Sequence, residues 1–215
     1  MTFTIREPGS ALTHLAGAVL AVIAAFPLLI KSALTGDKDV VLGMGIFICS
    51  MILLYSASTL YHSVTVRTSA MRIFRKIDHM MIFVLIAGSY TPICMLVLGG
   101  RKGHILLTVI WGLALFGMAV KALWITCPKW FSSVIYIAMG WTCIFVFKDL
   151  LHLLPTGAFG WLLAGGIVYT VGGVIYALKL PLFPQKQYFG NHELFHLFVV
   201  GGSICHFICM YHYLV

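Results

Sequence analysis

The stretch Asn191-His192-Glu193-Leu194-Phe195-His196 carries two histidines four residues apart. On a helix this spacing sets both imidazoles on one face, one turn apart. Two imidazoles so placed can share a metal ion, and zinc is the first expectation for a nitrogen-rich site. A second i, i+4 pair, Ser58 and His62, lies in Ser58-Thr59-Leu60-Tyr61-His62, and His62 can supply a third imidazole. Three protein ligands with one open position is the layout of a catalytic zinc, whereas structural zinc is usually closed by four. Asp78 is the carboxylate candidate. It would be a ligand itself, or would hold a metal-bound water as general base, because zinc lowers the pKa of that water toward about 7. Ser58 would bond the same water or a developing oxyanion. Each residue also has a plainer reading: the histidines as interfacial side chains, Asp78 as a helix cap, Ser58 bonded to a carbonyl of its own helix.

His192-Glu193-x-x-His196 also matches H-E-x-x-H, the metalloprotease helix motif, which would make Glu193 a general base. The third imidazole lies upstream and Asp78 already offers a carboxylate. Glu193 therefore reads better as a first-turn acid at a helix N-terminus.

The elements that position these residues follow from composition. Of 215 residues, 61% are hydrophobic and 9% charged, against about 25% charged in soluble domains. That balance predicts a polytopic protein of the cell membrane. The expected fold class is all-α, a seven-transmembrane helix bundle forming a single domain over residues 1–215. A crossing needs about 20 apolar residues. Seven stretches qualify, at about 11–34, 40–62, 78–98, 104–124, 131–151, 159–180 and 192–215. The first is read as a spanning helix, not a removed signal peptide. Connections are short, the longest expected at 63–77.

Arg6, Arg67, Arg72, Arg75, Lys76, Lys121, Lys129, Lys179 and Lys186 share one side of such a bundle; Lys31, Lys38, Arg101, Lys102 and Lys148 share the other. Nine against five predicts a cytoplasmic N-terminus and an outside C-terminus. The net charge of +8 then reads as basic loops meeting anionic lipid, not as nucleic-acid binding. The same topology brings Ser58–His62, Asp78 and His192–His196 to one membrane depth.

Other residues read as packing. The six cysteines form no C-x-x-C pair and are expected as small buried hydrophobes. Pro92 predicts a kink by freeing the carbonyl of Gly88. Gly165-Gly166, Gly172-Gly173 and Gly201-Gly202 predict close helix approach. His206 is expected in an interhelical hydrogen bond, ahead of a second metal or a haem. Glu7 and His14 are expected to form a polar contact with no tie to the metal.

The S-x-x-x-H of Ser58–His62, the aspartate of Ile77-Asp78-His79 and the H-x-x-x-H of His192–His196 resemble the signature of the progestin/adipoQ receptor family, whose bacterial branch is called hemolysin III. Gly88-Ser89-Tyr90-Thr91-Pro92, Ala138-Met139-Gly140-Trp141 and Gly201-Gly202-Ser203-Ile204-Cys205-His206-Phe207 also resemble that branch. The resemblance implies seven helices with a cytoplasmic N-terminus. It implies zinc on His62, His192 and His196, with Asp78 near a zinc-bound water. It also brings in hydrolysis of lipid amides, known for the related alkaline ceramidases and proposed for animal receptors, and a link to membrane homeostasis.

The leading expectation is thus a zinc-dependent hydrolase of a lipid amide or ester, with a membrane lipid or fatty-acyl ligand inside the bundle. The first alternative is a non-catalytic lipid sensor with structural zinc. The second is a cytolysin, against which stands the lack of an amphipathic insertion segment.

Overall fold

The computed structural model describes residues 5–178 and 189–215. Seven helices there are long and apolar enough to cross a membrane: α1 Pro8–Leu34, α2 Lys38–Ser63, α3 Thr68–Leu98, α4 Gly100–Leu123, α5 Lys129–Leu153, α6 Thr156–Leu178 and α7 Asn191–Leu214. With no water in the hydrocarbon layer, each crossing must satisfy its backbone internally, which an α-helix does by itself. The chain is a multi-pass membrane protein. The expected end of the sixth stretch at 179–180, and Lys179 and Lys186 of the charge count, lie outside the described residues.

Local sequence sets the ends. Pro8 opens α1, where its missing N–H costs nothing and its fixed φ suits the first turn. At the α1–α2 turn Gly36 takes a φ of +71°, a conformation that penalises any Cβ. Asp37 then accepts from the Asp39 N–H at 2.8 Å and caps α2.

The third helix departs from the sequence reading. It begins at Thr68, ten residues before Asp78, so the connection after α2 is 64–67 and not 63–77. Arg72, Arg75 and Lys76 hid this start, because the helix runs on past the apolar stretch into the polar interface. Asp78 is therefore no cap; it lies in the interior of α3.

Two crossings are irregular, for identifiable reasons. Pro92 removes one donor from α3, and residues 93–98 continue as a wider π-helical turn. In α5 the α-helical ladder breaks over Trp141–Val146. There the Tyr90 hydroxyl donates to the Gly140 carbonyl at 2.6 Å and accepts from the Cys143 N–H at 2.8 Å. A side chain of α3 thus inserts into the backbone of α5 and re-satisfies it.

Glycines bring helices together. A Cβ on Gly117 of α4 would stand 2.2 Å from the Phe83 ring of α3, and one on Gly165 of α6 2.3 Å from the His206 ring of α7. His206 Nε2 donates to the Leu162 carbonyl at 3.2 Å, the expected interhelical bond. The inner core is built on Phe47, Leu54, Tyr55 and Phe83, while Leu12, Ile23, Phe26 and Ile30 of α1 face outward, as lipid contact allows.

Candidate metal centre

His62 lies in the last turn of α2, and His192 and His196 in the first two turns of α7. One ring nitrogen from each lies within 4.8 Å of the others. His62 Nε2 and His192 Nε2 face each other at 3.3 Å. The ring centroids of His192 and His196 are 4.4 Å apart, and those of His62 and His196 5.2 Å.

The opposite nitrogens are occupied, and their partners assign the protons. His62 Nδ1 meets the carboxylate of Glu7. A carboxylate only accepts, so Nδ1 carries the hydrogen and Nε2 keeps its lone pair toward the cluster. His196 Nδ1 lies 3.3 Å from the Ser10 carbonyl and 3.1 Å from Thr13 Oγ1. The same reasoning leaves His196 Nε2 as the free acceptor. A ring N–H bound to a carboxylate or carbonyl is the support that metal-ligating histidines carry in known sites. The His192 Nδ1 is buried and meets no hydrogen-bond partner among the described residues. Three converging imidazole nitrogens, two of them oriented from behind, fit a divalent ion of borderline softness.

Glu7 lies just outside α1. Its carboxyl is held below the ordinary value of 4.5, first by the hydrogen bond from His62, while partial burial pushes the other way. The segment is pinned by backbone bonds from Glu7 N–H to the His62 carbonyl at 3.0 Å and from Arg6 N–H to the Ser63 carbonyl at 3.4 Å. His14, one turn beyond Ser10, stacks on His196 with centroids 3.6 Å apart and planes 11° from parallel. The sequence reading tied neither Glu7 nor His14 to the three clustered histidines; the structure puts Glu7 against His62 and His14 against His196. The only sequence signal was a charged and a polar residue bracketing the start of an apolar helix.

Glu193 takes the first-turn role. It accepts from the Gly190 N–H at 2.8 Å and from Ser10 Oγ, so its carboxylate is committed to the helix start. Asp78 is buried on α3, outside the 4.8 Å imidazole cluster. Asp78 thus lies beside the imidazole cluster and not within it. Its Oδ2 lies 3.3 Å from His79 Nδ1, in a contact not aligned as a hydrogen bond. Ser58 is fully buried, and its hydroxyl bonds no described carbonyl of its own helix; it faces the Asp78 carboxylate of α3. The plainer reading of Ser58 therefore fails.

Asp78, Ser58, His192, His196 and His14 line one cavity of about 200 Å³. From them it runs along the bundle to Leu150 of α5 and Phe159 of α6, past Tyr90 and Leu162. Its polar end holds the cluster and the rest is mostly aliphatic and aromatic.

Against known proteins, the model of the family described as "Haemolysin-III related" matches residues 3–207. This chain belongs to that family. It is 37% identical over 214 residues to Hemolysin-3 of Bacillus cereus, covering 99% of this chain and 94% of that one. It is 38% identical over 214 residues to the Hemolysin-3 homolog of Bacillus subtilis strain 168, covering 99% and 97%. More distantly it is similar to the adiponectin receptor protein of Drosophila melanogaster, 24% identical over 94% of this chain and 49% of that one. The resemblance to the progestin/adipoQ receptor family and to its hemolysin III branch is thereby borne out.

Proposed function

We propose that this haemolysin III-related protein is a zinc-dependent hydrolase of a lipid amide or ester, acting from within the bilayer on membrane composition. The observation that carries the reading is the convergence of His62, His192 and His196 nitrogens within 4.8 Å at the polar end of an apolar cavity.

A zinc ion held by these three residues would supply Lewis-acid polarisation of a carbonyl and a water of lowered pKa. The chain's own residues do the rest. Glu7 and the Ser10 carbonyl hold two imidazoles in the tautomer that presents a lone pair. Asp78, with no lysine or arginine within ion-pair distance among the described residues, is placed to take a proton from water and return it to the leaving nitrogen or oxygen. Ser58, whose hydroxyl lies beside the Asp78 carboxylate, would stabilise the oxyanion. The aliphatic length of the cavity accepts an acyl chain and keeps bulk water from the reacting carbonyl.

Asp78→Asn should keep zinc and lower turnover of a labelled lipid amide or ester by about 10²-fold or more. Retained turnover would remove Asp78 from the mechanism. A lipid sensor with structural zinc is the second reading. In its favour, an ion on His62 and His192–His196 would pin α2 to α7. Lipid profiles of cells with wild-type and Asp78→Asn protein separate the two: a lipid that changes only with the wild type supports the hydrolase, and identical profiles support the sensor.

A further inference from the structure

The chain has six carboxylate side chains, and all lie among the described residues. Glu7 serves His62, and Glu193 serves Ser10 and the start of α7. Asp37 caps α2 with Asp39 beside it, at the opposite end of the bundle from the imidazoles. Asp149 pairs with Lys102 at 2.8 Å. Asp78 alone lines the cavity, where it contacts His79. None remains for Lys121 and Arg75, two cations that line the same cavity.

Lys121 is 3% exposed. Its Nζ donates to Ser132 Oγ at 2.5 Å and to Cys127 Sγ at 3.1 Å, both neutral groups. No carboxylate of the described residues lies within 4.0 Å of it or of Arg75. An ammonium removed from water without an opposite charge is costly, and in a membrane protein such a residue marks a binding function by default. Its depth is fixed by the antiparallel packing of α3 and α4. Gly117 meets Phe83; Lys121 is one turn past Gly117, and Asp78 is just over one turn before Phe83. Lys121 therefore stands at the level of Asp78.

We propose that Lys121 and Arg75 form a phosphate site, which holds the phosphate of a lipid headgroup while the acyl carbonyl lies at the imidazoles. Lys121 at the level of Asp78, and Arg75 within a turn of Asp78 on α3, suit a phosphodiester. A carboxylate released by hydrolysis would be formed at the imidazoles and has no need of them. The assignment of a phosphate-bearing acyl ester as substrate class rests on the hydrolase reading; the phosphate site does not.

The test uses full-length protein in neutral detergent, and the Asp78→Asn variant to prevent turnover. Binding of palmitoyl lysophosphatidylglycerol, monopalmitoylglycerol, palmitate and inorganic phosphate is followed by native mass spectrometry. The lysophospholipid should bind at least about tenfold more tightly than the uncharged monoacylglycerol, a gap of about 1.4 kcal/mol. Lys121→Met and Arg75→Gln should each close most of that gap and leave monoacylglycerol binding unchanged. Equal binding of the two lipids, or a gap unaltered in both variants, overturns the site. Palmitate binding that is lost with Lys121 would reassign the cations to the product carboxylate and overturn it. Inorganic phosphate binding as tightly as the lysolipid would overturn the lipid source. Failure of the hydrolase reading would appear as absent turnover with this binding intact. Failure of the phosphate site would appear as zinc and turnover with no preference for phosphate.

Discussion

Glu7 shows how much an imidazole depends on what lies behind it. Its carboxylate fixes the His62 tautomer from a segment 55 residues away. Glu7→Gln should weaken zinc binding by about 10- to 100-fold, measured by competition with a chelator of known affinity. The pH sign follows from the depressed carboxyl. Its folded value lies below the ordinary 4.5, so the contact stabilises above that value and is lost as pH falls through the lower folded one. In metal-free protein the wild type should lose thermal stability faster than Glu7→Gln on acidification below about pH 5; parallel curves would remove the contact from the stability account. The i, i+4 pairs of His192–His196 and Ser58–His62 were legible because one helix turn encodes them. Glu7 and His14 were not, because tertiary packing brings α1 against α2 and α7, and no local spacing records it.

At the scale of elements, the seven crossings were readable because each apolar run exceeds what the hydrocarbon layer needs. The start of α3 was not, because a helix emerging into the interface ceases to be apolar before it ceases to be helical. The break in α5 was also hidden, since it depends on the Tyr90 hydroxyl from α3. Packing between crossings rests on small residues. Gly165→Ala should destabilise the bundle by about 1–3 kcal/mol, because its Cβ would fall 2.3 Å from the His206 ring and 3.1 Å from the Gly202 carbonyl. Thermal unfolding in detergent checks it. An unchanged midpoint would mean that the His206 ring moves aside freely.

At the scale of the molecule, the imidazole cluster, Asp78 and Lys121 share one end of the bundle, and the cavity leads away from them. The lysine and arginine bias predicts that this end faces the cytoplasm. Cysteine labelling should therefore find Arg6→Cys protected from an impermeant reagent in intact cells and Arg101→Cys reactive; the reverse pattern would turn the site to the outside with its geometry unchanged. The central claim is that one divalent ion sits among His62, His192 and His196. It is tested most directly by the zinc content of purified protein beside His192→Ala and His196→Ala variants. One zinc per wild-type chain, lost from both folded variants, is the expected result. Stoichiometric zinc retained in the folded variants, or a wild-type protein that binds no zinc from buffered solution, would contradict it.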